Sequence, residues 1–443
     1  MTLMKHRTSK ILFIALLAFA VVGNINVAKA QYDVSSPYSR FGIGYTNSGK
    51  NQSMVSMGGI GYAFARNNEV NITNAASLFA IDKQTFVFNM GFDFTFRNIA
   101  NAKTSSNAVV GAINNISLAF PILDRLKVGL ALSPVTDINC LGSDTLFSSI
   151  NSVKTFEGNG GLDRFVLALA YQPLKTKTDN LSIGASASYY FGNIYRASTL
   201  QFLTQKDSLG HVRDTAGFLD NRTETNFDVS SFGVDFGVQY FHTFGNEDIL
   251  GFGLTFTPKY KLSADRRQMF YTFYTDGGIT YLQDTLQYKE DDANITMPMK
   301  LGFGLSYNRP NKLFAEADFT FTKWSDFEFE LQNKNSLKDN WQFNIGAEYI
   351  PNIASAAYFR RVAYRFGFRY DNGYIFLQDK RINDMAVSVG LAIPIKQIGT
   401  RVNLSFEYGR QGTTDNNLIK ENYFKIGLSL SARDRWFVKR KYQ

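Results

Sequence analysis

The sequence predicts an all-β protein: a 14-stranded antiparallel transmembrane β-barrel with an N-terminal luminal hatch. Three observations predict this fold. Fourteen segments alternate apolar with small or polar residues, the connections between them alternate in length, and a Gly-, Asn-, Ser- and Ala-rich stretch precedes the first of them. Outer-membrane barrels have an even number of strands, short periplasmic turns and longer extracellular loops. A soluble sandwich gives no reason for that rhythm of connections.

The first element is a predicted signal peptide over residues 1–30. A basic start is followed by an apolar run over 11–22 and by Ala28-Lys29-Ala30, which has the form of a cleavage site. The alternative is a membrane anchor, but the apolar run is short for one. Cleavage would export the chain and lower its formal net charge from +9 to +5, because the segment holds four basic residues and no acidic one.

Residues 31–83, the hatch, do not alternate well and are too many for a simple leader. A fourteen-stranded barrel is wide enough to need filling, so we predict that the hatch plugs the lumen. The alternative is a periplasmic extension. Three glycines would give the backbone a tight path inside the lumen, and two arginines would tie it to the wall. The predicted hatch residues are Arg40, Gly58, Gly59, Gly61, Arg66, Asn74, Ala75 and Ala76.

Residues 84–432 form the predicted barrel. In its first strand the even positions from Phe86 to Phe96 are Phe or Met, whereas the odd positions include Asp93 and Arg97. Successive strand side chains point to opposite faces, so one face would meet lipid and the other the lumen. The fourteen predicted strands are 84–97, 114–121, 126–134, 162–172, 181–195, 227–241, 249–262, 298–308, 312–325, 340–350, 361–371, 384–394, 401–410 and 421–431.

The connections predict the orientation. Residues 122–125 and 308–311 are short and predicted to be periplasmic, whereas 135–161, 196–226 and 263–297 are long and predicted to be extracellular loops. Both termini would then be periplasmic. Aromatic residues near strand ends would form interfacial girdles: Trp324, Trp341, Tyr349, Tyr370 and Tyr408.

Charges at inward positions have mixed signs, so we expect them to pair across neighbouring strands and brace the wall and hatch. Glu348 beside Arg361, Arg365 and Arg369 is one example. The alternative is direct substrate binding. The predicted lumen charges are Asp93, Arg97, Asp235, Glu316, Asp318, Glu348, Arg361, Arg365, Arg369, Glu407 and Lys425.

Nothing in the sequence indicates an enzyme. The single cysteine, Cys140, and three histidines form no cluster with metal-ligand spacing, so neither a metal nor a cofactor is expected. The tail 433–443 is basic and predicted to be periplasmic, where it would attract anionic membrane lipids. Nucleic-acid binding is disfavoured by the compartment.

Four stretches resemble the FadL family of outer-membrane transporters for long-chain fatty acids and other hydrophobic compounds. The first is Asn74-Ala75-Ala76-Ser77, similar to the family's Asn-Pro-Ala hatch motif with Ala75 in place of Pro. The others are the strand Met297–Tyr307, the stretch Ala317–Phe327, similar to the family's Trp-Ser-x-Phe strand, and the stretch Asn340–Tyr349, similar to its Trp-x-x-x-x-Gly-Ala-Glu-Tyr strand. The resemblance implies a fourteen-stranded barrel with a hatch in the outer membrane of a Gram-negative bacterium.

Two functions follow as hypotheses. The first is a passive channel for hydrophobic compounds such as long-chain fatty acids. The second is a non-transporting barrel subunit of a multiprotein outer-membrane machine for protein export or barrel assembly, with outer-membrane protein partners. A barrel enzyme is the least favoured.

Overall fold

A computed structural model describes residues 36–47, 49–146, 151–203, 205–206, 212–213, 218–245, 247–276, 279–331, 336–395 and 399–435. The predicted signal peptide and the tail beyond Arg435 lie outside these residues. The strands are β1 Tyr45–Thr46, β2 Thr85–Ala100, β3 Ser105–Pro121, β4 Leu126–Leu146, β5 Ser152–Lys175, β6 Asp179–Phe202, β7 Gln205–Lys206, β8 Val212–Arg213, β9 Asp220–Thr243, β10 Ile249–Thr257, β11 Tyr260–Asp276, β12 Ile279–Met297, β13 Lys300–Arg309, β14 Leu313–Thr322, β15 Asn340–Tyr349, β16 Ala363–Asp371, β17 Phe376–Leu377, β18 Lys380–Arg381, β19 Asp384–Pro394, β20 Arg401–Gly412 and β21 Lys420–Arg435.

The main sheet is antiparallel and closes on itself, because β2 pairs with β3 on one side and with β21 on the other. β10 and β11 both pair with β9 and form one wall strand, interrupted at Pro258. β12 and β13 form the next wall strand, interrupted at Pro298. Proline has no N–H to give to a ladder, which explains both interruptions. The barrel therefore has fourteen wall strands, and the predicted fold class is confirmed.

An apolar belt surrounds the outside of the barrel. Phe92 and Phe94 on β2, Phe252 on β10 and Phe343 on β15 are all exposed. The alternate residues of the same strands are buried and mostly small or polar, for example Asp93. An apolar outer band over a polar interior is what a bilayer requires of a barrel.

The three predicted long loops are mostly strand, which corrects the sequence-based prediction. The β4–β5 ladder continues to Leu146 and Ser152, and the β11–β12 ladder to Asp276 and Ile279. β5, β6 and β9 are each 24 residues long. Above the belt the outer face meets water, so the strands keep pairing while the apolar alternation that predicts them disappears.

The barrel is consequently asymmetric. We call β4, β5, β6 and β9–β13 the tall wall. We call β14, β15, β16, β19 and β20, which have 9 to 12 residues each, the short wall. At the end where the tall wall extends past the belt, the strands of the short wall are joined by connections whose described residues are 323–331 and 336–339, and 372–383.

Helices are short. An α-helix covers Gln52–Val55, and 3₁₀ helices cover Pro37–Arg40, Ala75–Ala80, Trp324–Asp326, Tyr358–Arg361 and Asp415–Asn417. In the part of the chain that the structure describes, no helix is long and apolar enough to cross a membrane. Arg361 belongs to one of these helices and lies over the Tyr358 ring, so it is not a strand residue facing the lumen as predicted.

Candidate functional site

The hatch lies inside the barrel, and Asn74 is one of its anchors. The Asn74 Oδ1 accepts the Ala76 N–H at 3.1 Å and caps the 3₁₀ helix Ala75–Ala80. Its Nδ2 donates to the carbonyls of Tyr62 at 2.8 Å and of Val238 on β9 at 3.3 Å. The cap therefore forms with Ala75 at the first helical position, where the resembling family has Pro.

The hatch approaches the wall so closely that side chains would not fit. Gly58 has φ +71°, and a Cβ on Gly367 of β16 would lie 1.9 Å from the Gly58 nitrogen. Gly59 also has a positive φ of 76°. Gly61 donates its N–H to Asp318 Oδ2 at 2.7 Å.

Wall glycines opposite the hatch occur as cross-strand partners, a feature that sequence reasoning missed. We call them the glycine pairs: Gly184 with Gly237, Gly253 with Gly304, and Gly346 with Gly367. A Cβ at any of the six would lie within 2.8 Å of a hatch atom. The signal in the sequence is an inward glycine at the same level of adjacent strands, which becomes visible only when the register is known.

Two acidic wall residues hold the hatch backbone. Asp318 Oδ2 accepts the N–H groups of Gly61 and Tyr62 at 2.7 and 3.2 Å, and Glu316 Oε1 accepts that of Ala63 at 2.8 Å. Both carboxyl groups are buried. These predicted lumen charges thus serve as acceptors for backbone N–H groups that have no other partner in a helix or strand.

A buried ionic network joins the hatch to the short wall. Glu348 accepts from Arg66 of the hatch at 2.9 Å and from Arg365 at 2.8 Å. Arg365 also reaches Glu69 of the hatch at 3.4 Å and Asn403 at 2.8 Å. Glu348, Arg365 and Glu69 are buried and Arg66 is half-buried, so removing Arg365 would leave buried carboxylates without their partner.

The other predicted charges lie apart from this network. Arg369 donates to Asp384 at 3.0 Å, to Glu407 at 3.2 Å and to the Tyr423 hydroxyl at 2.6 Å. Asp93 accepts from Asn114, Asp235 accepts from Thr257, and Arg97 pairs with Glu421. Arg40 of the hatch lies over the Phe156 ring of β5, 3.7 Å from its centroid.

The mouth of the lumen on the side where the tall wall extends past the belt is closed by residues 323–331, which we call the mouth cap. The cap extends from the short wall to the inner face of the tall wall. Phe329 packs on Phe227 of β9 with ring centroids 4.9 Å apart. Glu328 and Thr296 of β12 exchange backbone hydrogen bonds at 2.8 and 3.3 Å, and Arg266 of β11 pairs with Glu330.

Trp324 is not part of the interfacial aromatic girdle that the sequence predicts. It is buried at the mouth and stacks on Tyr374, with ring centroids 4.0 Å apart. Around it an apolar cluster joins the hatch, the tall wall and the connections of the short wall, and it includes Tyr38, Ile43, Ile194, Phe227, Leu262, Phe327, Phe329, Ile375 and Leu418. The upper lumen is therefore filled by the protein's own side chains.

The outer face of the tall wall carries a polar network above the belt. Arg222 lies on the same face of β9 as the exposed Phe232, and donates to Glu157 at 3.1 and 2.7 Å and to Glu224 at 2.7 Å. Burial and the hydrogen bond to Glu224 raise the pKa of Tyr271 to about 12. These side chains line a groove of about 340 Å³ that is mainly polar.

Among the described residues, the longest gap between wall strands at the level of the apolar belt separates β3 from β4, and a shorter one separates β9 from β10 and β11 between Val229 and Phe236. β3 and β4 pair only from Ile116 to Pro121, and β4 diverges near Pro134, where its register on β5 shifts. Above that point β1 of the hatch pairs with β4, with Tyr45 opposite Asp137. Within the described ranges, no three His, Cys, Asp or Glu side chains are placed to hold a metal ion.

Comparison with solved structures finds hydrocarbon channels. The CymD monoaromatic hydrocarbon channel is 15% identical with a TM-score of 0.55, covering 90% of this chain and 99% of that one. A Pseudomonas aeruginosa FadL homologue is 13% identical with a TM-score of 0.56, covering 88% and 98%. The Ralstonia pickettii toluene transporter TbuX is 15% identical with a TM-score of 0.54, covering 87% and 98%. At these identities the likeness establishes the fold alone.

Comparison with curated proteins gives no match. The resemblance to the FadL family is right for the barrel fold, which this chain shares with those outer-membrane channels. A family model described as BamG matches residues 9–443, nearly the whole chain. The chain belongs to the BamG family.

Proposed function

We propose that this protein is a plugged, non-transporting barrel in the outer membrane of a Gram-negative bacterium, and that it serves as a subunit of a multiprotein machine for protein export or barrel assembly. One observation carries the proposal. The described lumen is filled by the hatch and the mouth cap, from the cluster around Leu78 to the cluster around Phe329.

The energetics of opening support this role. Moving the hatch would separate Arg66 from Glu348 and Glu69 from Arg365, and would strip acceptors from the backbone at Gly61 and Ala63. Breaking a buried ion pair costs about 3–5 kcal/mol when one partner stays buried. Several such contacts would have to break together. The free energy of opening is therefore high, and solutes would not diffuse passively through the lumen.

The outer surface of the tall wall is a second observation that supports the proposed role. It projects beyond the apolar belt, with a charged outer face around Arg222 and exposed apolar side chains such as Leu282 and Tyr288 on β12. Exposed apolar groups amid polar ones are typical of protein-binding surfaces. A barrel that serves only as a channel does not require them.

The test is purification of the full chain from native membranes in mild detergent, followed by native mass spectrometry and planar-bilayer conductance. We expect stoichiometric protein partners and no conductance. Deleting residues 35–75 should open the lumen and raise conductance. A variant lacking the mouth cap serves as a second opening in case that deletion does not fold. A lone barrel without partners would contradict the proposal.

The second candidate is passive uptake of hydrophobic compounds. It is favoured by the fold shared with the hydrocarbon channels and by the gap between β3 and β4. It predicts lipid or another apolar ligand in the purified barrel, and loss of fatty-acid uptake in a strain that lacks the protein. Unchanged uptake in that strain, together with retained partners, would leave the first proposal standing.

A further inference from the structure

The longer gap in the wall leaves the edge of β3 exposed within the apolar belt. Residues Ser105–Asn115 of β3 pair with β2 but, among the described residues, with no strand on the other side. We call this second side the free edge. By contrast, the β4–β5 ladder runs from Leu126 to Leu146 with one register shift.

The free edge lies at bilayer depth. Val109 and Ile113 are 44% and 47% exposed, and they stand opposite Phe96 and Phe92 of the belt. In hydrocarbon a backbone N–H or C=O without a partner costs several kcal/mol, so open sheet edges do not persist there. A strand added in the membrane would pair these groups along the free edge and remove that cost.

The other side of the gap shows how such an edge is satisfied. β1 of the hatch adds to β4, with Thr46 opposite Thr136, and the Asn47 N–H donates to the Val135 carbonyl at 2.7 Å. The chain thus covers the β4 side by adding a strand of its own. In the described residues the β3 side receives no such strand.

We propose that the free edge of β3 pairs with a β-strand of a second outer-membrane protein, which completes the sheet by strand addition. This inference rests on the proposed function and names its partner surface. At bilayer depth the added strand must be apolar on its outer face, beside Val109 and Ile113. On its inner face it must be small or polar, because Ala108 and Ala112 face the lumen beside Arg97 and Asp93.

A photo-crosslinking amino acid at Val109 or Ile113 of the full chain tests the pairing in cells. We expect both positions to crosslink to one strand of one partner, at residues four apart, because paired strands advance together. The matched control is Val387 on β19, which faces lipid within a closed ladder and should give no protein adduct. Lipid adducts alone at Val109 and Ile113, or partner residues without this register, would overturn the inference.

Two proline variants give a second measurement. The N–H groups of successive strand residues point to opposite edges, so one of Val109→Pro and Val110→Pro removes an N–H from the free edge and the other from the β2 ladder. We expect the variant that removes the N–H from the free edge to fold normally, judged by heat-modifiable gel mobility. The same variant should lose the crosslink from Ile113. Retention of the crosslink in both folded variants would overturn strand addition.

The outcomes separate the two proposals. Partners that copurify but crosslink only from the tall wall would refute the free edge as the contact and leave the proposed function intact. Absence of any stoichiometric partner would refute both.

Discussion

The tall wall and the short wall are built from the same antiparallel ladder, yet they end in opposite ways. In the tall wall the strands run on above the belt and expose a charged outer face. In the short wall they stop near the belt, and the chain folds inward as the mouth cap. The charge networks differ accordingly, since Arg365 is 1% exposed whereas Arg222 is 19% exposed.

The difference indicates a division of labour within one barrel. The short wall holds the hatch and closes the lumen through buried contacts, while the tall wall offers surface to the outside. Burial decides how much each network contributes to stability, because water and salt screen exposed ion pairs strongly and buried ones much less. The following predictions test that contrast.

The largest effect is expected where the ionic network is fully buried. Arg365→Ala should lower the free energy of unfolding by about 3–5 kcal/mol, because it leaves Glu348 and Glu69 buried without their partner. The matched variant Arg222→Ala, at the better exposed network of the tall wall, should cost about 1 kcal/mol or less. Urea titrations of both refolded variants measure this, and equal losses would refute the contrast.

A smaller effect is expected at the mouth cap. Phe329→Ala removes a buried ring from the tall-wall cluster and should favour local opening by about 3 kcal/mol, the lower end for such truncations, because a connection can relax. Hydrogen exchange of residues 323–331 should accelerate while the wall strands stay protected. Exchange that accelerates equally throughout the barrel would show that the cap does not open on its own.

On the outer face, the stability cost of an introduced charge should differ between the apolar belt and the strand extensions above it. Phe252→Arg on β10 should cost about 2–4 kcal/mol, because the charge enters hydrocarbon. Leu141→Arg on β4 is the control, since Leu141 is similarly exposed at 48% but stands opposite Glu157 above the belt. It should change stability by about 0.5 kcal/mol or less. Similar costs at the two sites would mean that the belt extends higher.

The smallest effect concerns pH at the inner face of the tall wall. Hydrogen bonds from Arg266 and Lys289 lower the pKa of Asp291 to about 2. The contribution of ionised Asp291 to stability should therefore be complete above about pH 4 and be lost as the pH falls through 2. Exchange at Glu330 and its neighbours should follow that transition, and Asp291→Asn should remove it. A transition near pH 4 would contradict the pairing.

The sequence predicts the wall strands well where lipid and lumen impose opposite demands, as from Phe86 to Arg97. It does not predict the extensions of β5, β6 and β9, because both faces of those strands are polar or mixed. The pairing of Glu348 with Arg365 follows from neighbouring inward positions. The mouth cap could not be predicted, since Phe329 meets Phe227 only after the barrel has closed.

The glycine pairs bear on how the barrel acquires its register. A slip of β16 by one residue would turn Phe366 or Phe368 toward the hatch in place of Gly367, because alternate strand residues face opposite sides. The hatch backbone at Gly58 leaves no room for a benzyl group there. A barrel that closes in the wrong register would therefore be unable to accommodate the hatch. Packing of the hatch thus selects the native register of the wall strands around it.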